Sequence, residues 1–291
     1  MAELLAICNE GAGGAGDRAR AAAVDTLRAG GADVVEAPVG EKDLGEMLDA
    51  HRDHDVVVLG GDGTLHVVVT ALHRRGELAA RTVGLVPLGT GNDFARGLGL
   101  PLDPEVAARV VLAGRSTPLD LLVDDEGGVV VNAVHLGVGA EASEQAAPLK
   151  PRLGRLAYPA GALLAGVRSP GWRLRVTVDS RAHADGRPVL MAGVGNGVTI
   201  GGGTPLTPRA RPDDGMVDVV VALTTGPLER LAYALRLRRG THPGLRDVVT
   251  ARGREVAVAG EPVPVNADGE LTGRTARRRW TVMPAAWRMF T

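Results

Sequence analysis

The chain is poor in cysteine, in aromatic side chains and in lysine. Its one cysteine, Cys8, sits inside the first apolar run. A lone thiol cannot build a disulfide framework within the chain, which fits a reducing compartment. Aromatics make up 2% of the 291 residues, so a core must rest on Val, Leu and Ala, and the 45% hydrophobic content supplies them. Lys42 and Lys150 are the only lysines; arginine carries the positive charge, and acids balance it to a formal net charge of -1. With no long basic run, a nucleic-acid partner is disfavoured. No stretch reaches about 18 uninterrupted apolar residues, so no membrane-spanning helix is expected. The opening Met1-Ala2-Glu3-Leu4-Leu5 is acidic and has no long apolar segment, unlike a secretory signal. A cytoplasmic protein is the expectation, and any membrane contact would be peripheral.

What is present reads as two domains, the natural division for this length. Residues 4–8, 34–37, 56–59 and 83–86 are short apolar runs rich in β-branched side chains, the pattern of buried parallel strands. Helical stretches lie between them at 17–29, 44–52 and 64–75, with Asp17 and Asp43 placed as N-caps, and a further one at 104–113 stops at Gly114. Strand and helix alternating at this spacing predict βαβ units in a doubly wound sheet. After Leu119 the pattern changes. Segments 129–134, 174–178, 189–194, 217–222, 255–259, 263–266 and 280–283 look like strands between Gly, Pro and Asp turns. Only 153–167 and 228–238 read as helices there, so a mostly antiparallel β domain is expected. The longest irregular stretch, 201–215, has the length of a functional loop.

The strongest motif is Val57-Val58-Leu59-Gly60-Gly61-Asp62-Gly63-Thr64-Leu65, a strand running through glycines into a helix. Such a turn presents backbone N–H groups at a helix N-terminus, where an anion binds. Gly60, Gly61 and Gly63 let phosphates approach the backbone. Asp62 does not suit a phosphate contact but suits a Mg²⁺ ion bound by those phosphates, and Thr64 can cap the helix or donate to a phosphate. A tight strand–helix turn with a surface aspartate would look the same. The second motif, Pro87-Leu88-Gly89-Thr90-Gly91-Asn92-Asp93-Phe94-Ala95-Arg96, also follows a strand. Loops at the carboxyl ends of adjacent strands line one crevice. Thr90 and Asn92 can hydrogen-bond a nucleotide, and Asp93 adds a second carboxylate; Asn92 and Asp93 would equally well start a helix. Near the C-terminus, Asp268-Gly269-Glu270 is either an Asp-Gly hairpin turn or a source of catalytic carboxylates.

The two motifs, in this order, resemble the diacylglycerol kinase catalytic domain family, which includes bacterial lipid kinases and the sphingosine and ceramide kinases. The resemblance continues through Leu119-Asp120-Leu121, Val131 to Gly137, Leu153 to Tyr158, Asn196 to Asp218 and Asn266-Ala267-Asp268-Gly269-Glu270. It implies a phosphofructokinase-like α/β nucleotide-binding domain, here residues 1–121, and a β-sandwich domain, here 122–291, whose last strand can return to the first. ATP would lie in the cleft between them. Gly60 through Thr64 with Thr90 would hold the phosphates. Asp62, Asp93, Asp120 and Asp268 match carboxylates that bind catalytic Mg²⁺ directly or through water, and Asp268 or Glu270 would take the hydroxyl proton. A second, structural Mg²⁺ would sit near Arg211, Asp214 and the Met216 carbonyl. The implied reaction is transfer of the ATP γ-phosphate to a lipid hydroxyl at a membrane surface, with diacylglycerol the leading acceptor; a homodimer stays open.

Three departures stand out. The family's Asn-Pro opening is here Asn9-Glu10-Gly11-Ala12-Gly13-Gly14: Asn9 is kept as a nucleotide-binding position, the proline is Glu10, and the lysine is absent. Ala37-Pro38-Val39-Gly40 stands where a threonine is common, and Arg211 where a lysine is common. The rivals are an NAD kinase-like enzyme, which shares the GGDGT turn, and a non-catalytic nucleotide- or lipid-binding relative. A dehydrogenase is a weak third, since the glycines at 11–16 lack clean G-x-G-x-x-G spacing. Arg152, Arg155, Arg168 and Arg173 around 153–167, and Arg230, Arg236, Arg238 and Arg239 around 228–239, could touch anionic head groups or simply be solvated helix ends.

Overall fold

A computed structural model describes residues 2–8, 15–38, 44–146, 170–223 and 226–291. The expected helix at 153–167, Asn9 with its loop, and Asp43 lie outside these residues. The chain divides into two compact units, Met1–Leu121 with Met283–Thr291, and Leu122–Val282.

In unit 1 the order is β1 (Glu3–Cys8), α1 (Ala15–Ala29), β2 (Asp33–Pro38), α2 (Leu44–Ala50), β3 (Asp55–Gly60), α3 (Asp62–Arg75), β4 (Thr82–Pro87), α4 (Asp93–Gly97), α5 (Pro104–Leu112) and the start of β5 (Ser116–Asp124). The strands run parallel in the order β2-β1-β3-β4. β1, β3 and β4 are buried along nearly their whole length, as their unbroken apolar runs require. Ala23, Val24 and Leu27 of α1 pack with Ala107, Ala108 and Val111 of α5 in one apolar cluster. α2 and α3 contribute a separate set of buried leucines and valines. The helix signals behave locally: Asp103 caps α5 by accepting the Val106 N–H at 3.0 Å, and Gly76 ends α3 in the left-handed conformation. α1 begins two residues before Asp17, so that acid lies in the first turn, where it favours the helix dipole, rather than at the cap.

Unit 2 contains β6 (Val129–Val130), β7 (Ala133–Gly137), α6 (Val138–Ala146), β8 (Trp172–Val178), β9 (Arg181–Val189), β10 (Met191–Gly195), β11 (Thr199–Ile200), β12 (Thr204–Pro205), β13 (Val217–Ala222), α7 (Pro227–Leu237), β14 (Val248–Gly253), β15 (Glu255–Ala267) and most of β16 (Glu270–Phe290). This is the C-terminal β-sandwich, and its pairings are antiparallel. β15 makes the corner. Its first half pairs β8, its second half pairs β7, and an irregularity between Ala259 and Val263 lets it change partners. The main core gathers Val, Leu and Ala with Trp172 and Trp280, and a second cluster on the β10–β13 sheet includes Tyr233 of α7.

Several expected segments divide differently. Residues 129–134 split into β6 and β7 because the intervening N–H groups donate to a carboxylate instead of a strand. Residues 189–194 split between β9 and β10, while 255–266 is one strand. Residues 280–283 are the middle of a 21-residue strand. β5, β14 and α6 escaped the sequence reading; β5, Ser-Thr-Pro-Leu-Asp-Leu-Leu-Val-Asp, mixes polar residues and proline with its apolar ones.

Candidate phosphate-binding and carboxylate sites

In unit 1, β1 and β3 are neighbours from which the chain leaves in opposite directions, to β2 and to β4. Ligands of doubly wound sheets bind at the carboxyl ends of the strands where the order reverses in this way. Gly60 ends β3 there. Gly61 is the N-cap of α3 and has no side chain to satisfy the first turn. The N–H groups of Gly63 and Thr64 lie in the first turn of this 14-residue helix, where the helix itself offers no backbone acceptor, the kind of position at which anions bind. The glycines are required by space. A Cβ on Gly60 would lie 2.6 Å from Thr64 Oγ1, and one on Gly89 would lie 2.5 Å from Gly61 Cα. The two motifs thus meet glycine on glycine, and the Leu88 N–H donates to the Gly60 carbonyl at 2.9 Å.

Asp62 binds the motifs together a second way. Its carboxylate accepts the N–H groups of Asp93 at 2.9 Å and Phe94 at 3.0 Å, capping α4 from another element. Asn92 does not face outward as a nucleotide ligand would. It is buried in the left-handed conformation, and its Nδ2 donates to the Gly89 carbonyl at 2.9 Å, so its amide serves the loop itself. Thr90 is exposed and Thr64 half-buried. Asp93 and Asp120 are buried. Asp120 accepts the Ala285 N–H at 2.8 Å, and its carbonyl accepts Trp287 Nε1 at 3.1 Å. Trp287 stacks on Phe94 with ring centroids 5.9 Å apart. One chain of contacts thus links Asp62, Asp93 and Asp120. Among the described residues no three acids, histidines or cysteines converge into a metal cage.

In unit 2, Asp268 and Gly269 both have positive φ, 48° and 92°, and join β15 to β16 with Ala267 opposite Glu270. This is the two-residue hairpin that Asp-Gly favours. The aspartate also does more than turn the chain. Its carboxylate accepts the N–H groups of Val131 at 2.7 Å, Asn132 at 2.9 Å and Ala133 at 3.0 Å. Glu270 pairs with Ala267 across the turn, and its side chain is exposed. Three buried asparagines hold the surroundings. Asn132 donates to Thr199 O and Asn196 to Val131 O, each at 2.8 Å, while Asn266 accepts from Gly269 N at 3.0 Å. Sequence reasoning gave these no role, although each follows or ends an apolar run, a place where a polar side chain calls for a reason. Beside them His135 is buried on β7 with Nδ1 unpartnered, and burial pushes its pKa down to about 4.

At the expected structural cation site, Arg211 pairs with Asp213 at 3.2 Å, and Asp214 accepts the Met216 N–H at 3.1 Å. Asp214 is also paired with Arg252, whose Nε reaches Asp218 at 3.1 Å. A guanidinium thus answers this carboxylate's charge in the structure.

Two family models match the chain: the diacylglycerol kinase catalytic domain over residues 3–123, and the YegS C-terminal NAD kinase beta sandwich-like domain over 132–291. The chain is 35% identical over 242 residues to a "probable lipid kinase YegS-like" of Stenotrophomonas maltophilia, covering 79% of this chain and 76% of that protein. A protein of the same description from Pseudomonas aeruginosa is 37% identical over 250 residues, covering 80% and 75%. The fold is similar to the crystal structure of a diacylglycerol kinase from Bacillus anthracis, with TM-score 0.76 at 22% identity over 99% of this chain and 96% of that one.

Proposed function

This chain belongs to the family of YegS-like lipid kinases built on a diacylglycerol kinase catalytic domain, and on that premise we propose that it transfers the γ-phosphate of ATP to a lipid hydroxyl, diacylglycerol being the acceptor to test first. The observation that carries this reading is the open N-terminus of α3 at the sheet's switch point, locked to the second motif through Gly89 and Asp62. Gly63 and Thr64 would hold the phosphates by their N–H groups, Gly60 and Gly61 would leave them room, and the exposed Thr90 would reach them by its hydroxyl.

Oxygen donors beside an anion site suit Mg²⁺, which keeps several waters and is commonly held by one or two carboxylates together with substrate phosphates. Asp62 and Asp93 would hold it directly or through water, with Asp120 behind them; when bound it neutralises charge on the phosphates. In the transfer, the lipid hydroxyl oxygen forms its bond to the γ-phosphorus as the bond to the bridging oxygen breaks, and ADP leaves. The hydroxyl proton must go to a base. Of the two carboxylates in the Asp-Gly-Glu turn, Glu270 is the better placed acceptor. Asp268 spends its oxygens on three backbone N–H groups, and protonating it would give up bonds that hold the 131–133 loop. Asp268 is then a positioning residue for the turn.

The test is transfer of labelled phosphate from ATP with Mg²⁺ to diacylglycerol and other lipids in mixed micelles, with NAD as a second acceptor because the C-terminal model is NAD kinase-like. The expected result is labelled phosphatidic acid, reduced about a hundredfold or more in Glu270→Gln, the usual worth of a general base. Asp268→Asn should lower both activity and melting temperature. Labelled NAD would overturn the acceptor class, and ATP binding without any transfer would support a non-catalytic relative.

A further inference from the structure

α7 presents its leucines to the wrong side for an ordinary packed helix. Tyr233 is its buried contact with the sheet, 3% exposed, and Leu237 packs partly against the same cluster. Leu228, Leu231 and Leu235 are 77%, 57% and 54% exposed. Their spacing puts them on one stripe of the helix. Among the described residues seven large hydrophobic side chains are exposed, and these are three of them. A solvated helix would carry polar residues there, so the stripe calls for a partner.

The charges say which partner. Arg236 in the last turn, with Arg238 and Arg239 directly after it, is exposed, and the acid of the helix, Glu229, sits in the first turn at the opposite end. An apolar stripe with a cationic end is the form that lies in the interface of an anionic membrane, leucines among the acyl chains and arginines at the head groups. A second copy of this chain is a poorer occupant. A twofold contact would set the arginine cluster against itself, and the stripe spans only about 10 Å of helix, short of the roughly 800 Å² per partner of a stable interface. We propose that α7 is the docking element by which this protein rests on an anionic lipid surface. Its purpose rests on the lipid-kinase reading; its geometry does not.

The test is cosedimentation with vesicles of phosphatidylcholine alone and of phosphatidylcholine mixed with phosphatidylglycerol. The wild type is compared with Leu228→Gln/Leu231→Gln/Leu235→Gln and with Arg236→Gln/Arg238→Gln/Arg239→Gln. Thermal melting verifies that both variants are folded. The wild type should bind the mixed vesicles, less so as salt rises. The leucine variant should lose about tenfold or more of that binding, because three buried apolar groups are withdrawn. The arginine variant should lose the preference for the anionic vesicles. Phosphate transfer to a short-chain diacylglycerol dispersed without bilayer should be unchanged in both. Vesicle binding that is absent in the wild type or unchanged in the leucine variant overturns the proposal, as does a dimer in sedimentation that the leucine changes dissolve. Failure of the kinase reading shows separately, as no transfer to the dispersed acceptor whatever the vesicles do.

Discussion

A buried histidine with one nitrogen unpartnered makes the stability of unit 2 depend on pH. Burial holds the His135 pKa near 4, below the ordinary 6.5. Above pH 6.5 both the folded and unfolded chains keep the ring neutral, and the stability is fully present. As pH falls from 6.5 towards 4 the unfolded chain takes up a proton that the folded one refuses, so stability is lost across that window and no further below it. The loss amounts to about 3 kcal/mol. Urea midpoints at pH 7, 5.5 and 4 (roughly the window set by the ordinary and shifted values) should fall in that order, and His135→Leu should flatten the fall. A second charged residue acts in the same unit. Arg252 compensates Asp214 and the nearly buried Asp218, whose own pKa is raised by burial against the pull of Arg252. Arg252→Gln should cost about 1–2 kcal/mol after allowing for its partial exposure.

At the scale of elements, the strand–turn–helix units around α3 and α4 separate stability from function. Gly89→Ala drives a methyl into the Gly61 backbone and should cost about 1–3 kcal/mol as overpacking. Gly63→Ala meets nothing within 4 Å and lies in a helix, where alanine is the better residue, so melting temperature should hold or rise. If the turn holds phosphates, Gly63→Ala should nevertheless raise the KM for ATP, because the methyl crowds the N–H groups that face the anion. An unchanged KM would leave the turn a purely structural feature. The hairpin of β15 and β16 shows the same double use: Asp268 turns the chain and also anchors 131–133.

Across the whole molecule, the end of the chain belongs to the beginning. β16 leaves the sandwich and pairs Arg288 with Thr82 and Met289 with Val83 of β4, parallel to it. Trp287 is buried there, stacked on Phe94 and bonded to Asp120. Trp287→Ala should destabilise unit 1 by about 3–5 kcal/mol while leaving the protection of the sandwich strands unchanged in hydrogen exchange. A fragment of residues 1–121 should be correspondingly loose, because it lacks that strand.

Much was determined by the sequence alone, because the physics concerned was local. β1 to β4 were legible as short apolar runs, α3 and α5 as helical stretches between and after them, and the strand–helix turn from its glycines. The Asp-Gly pair already offered a hairpin as one of its two readings. What only the tertiary structure decided were the partners of polar groups. Asp62 caps α4 some thirty residues on, Asp268 collects three N–H groups from a segment far back in the chain, and Asn92 turns inward rather than towards a ligand. The same holds for β5, for the single long β15, and for Trp287 against Asp120. Their side-chain patterns are weak, and their place follows from pairing with segments remote in sequence. The exposed stripe of α7 is the last such case: spacing shows that its leucines share a face, but only the packing of Tyr233 on the sheet shows that this face points away from the core.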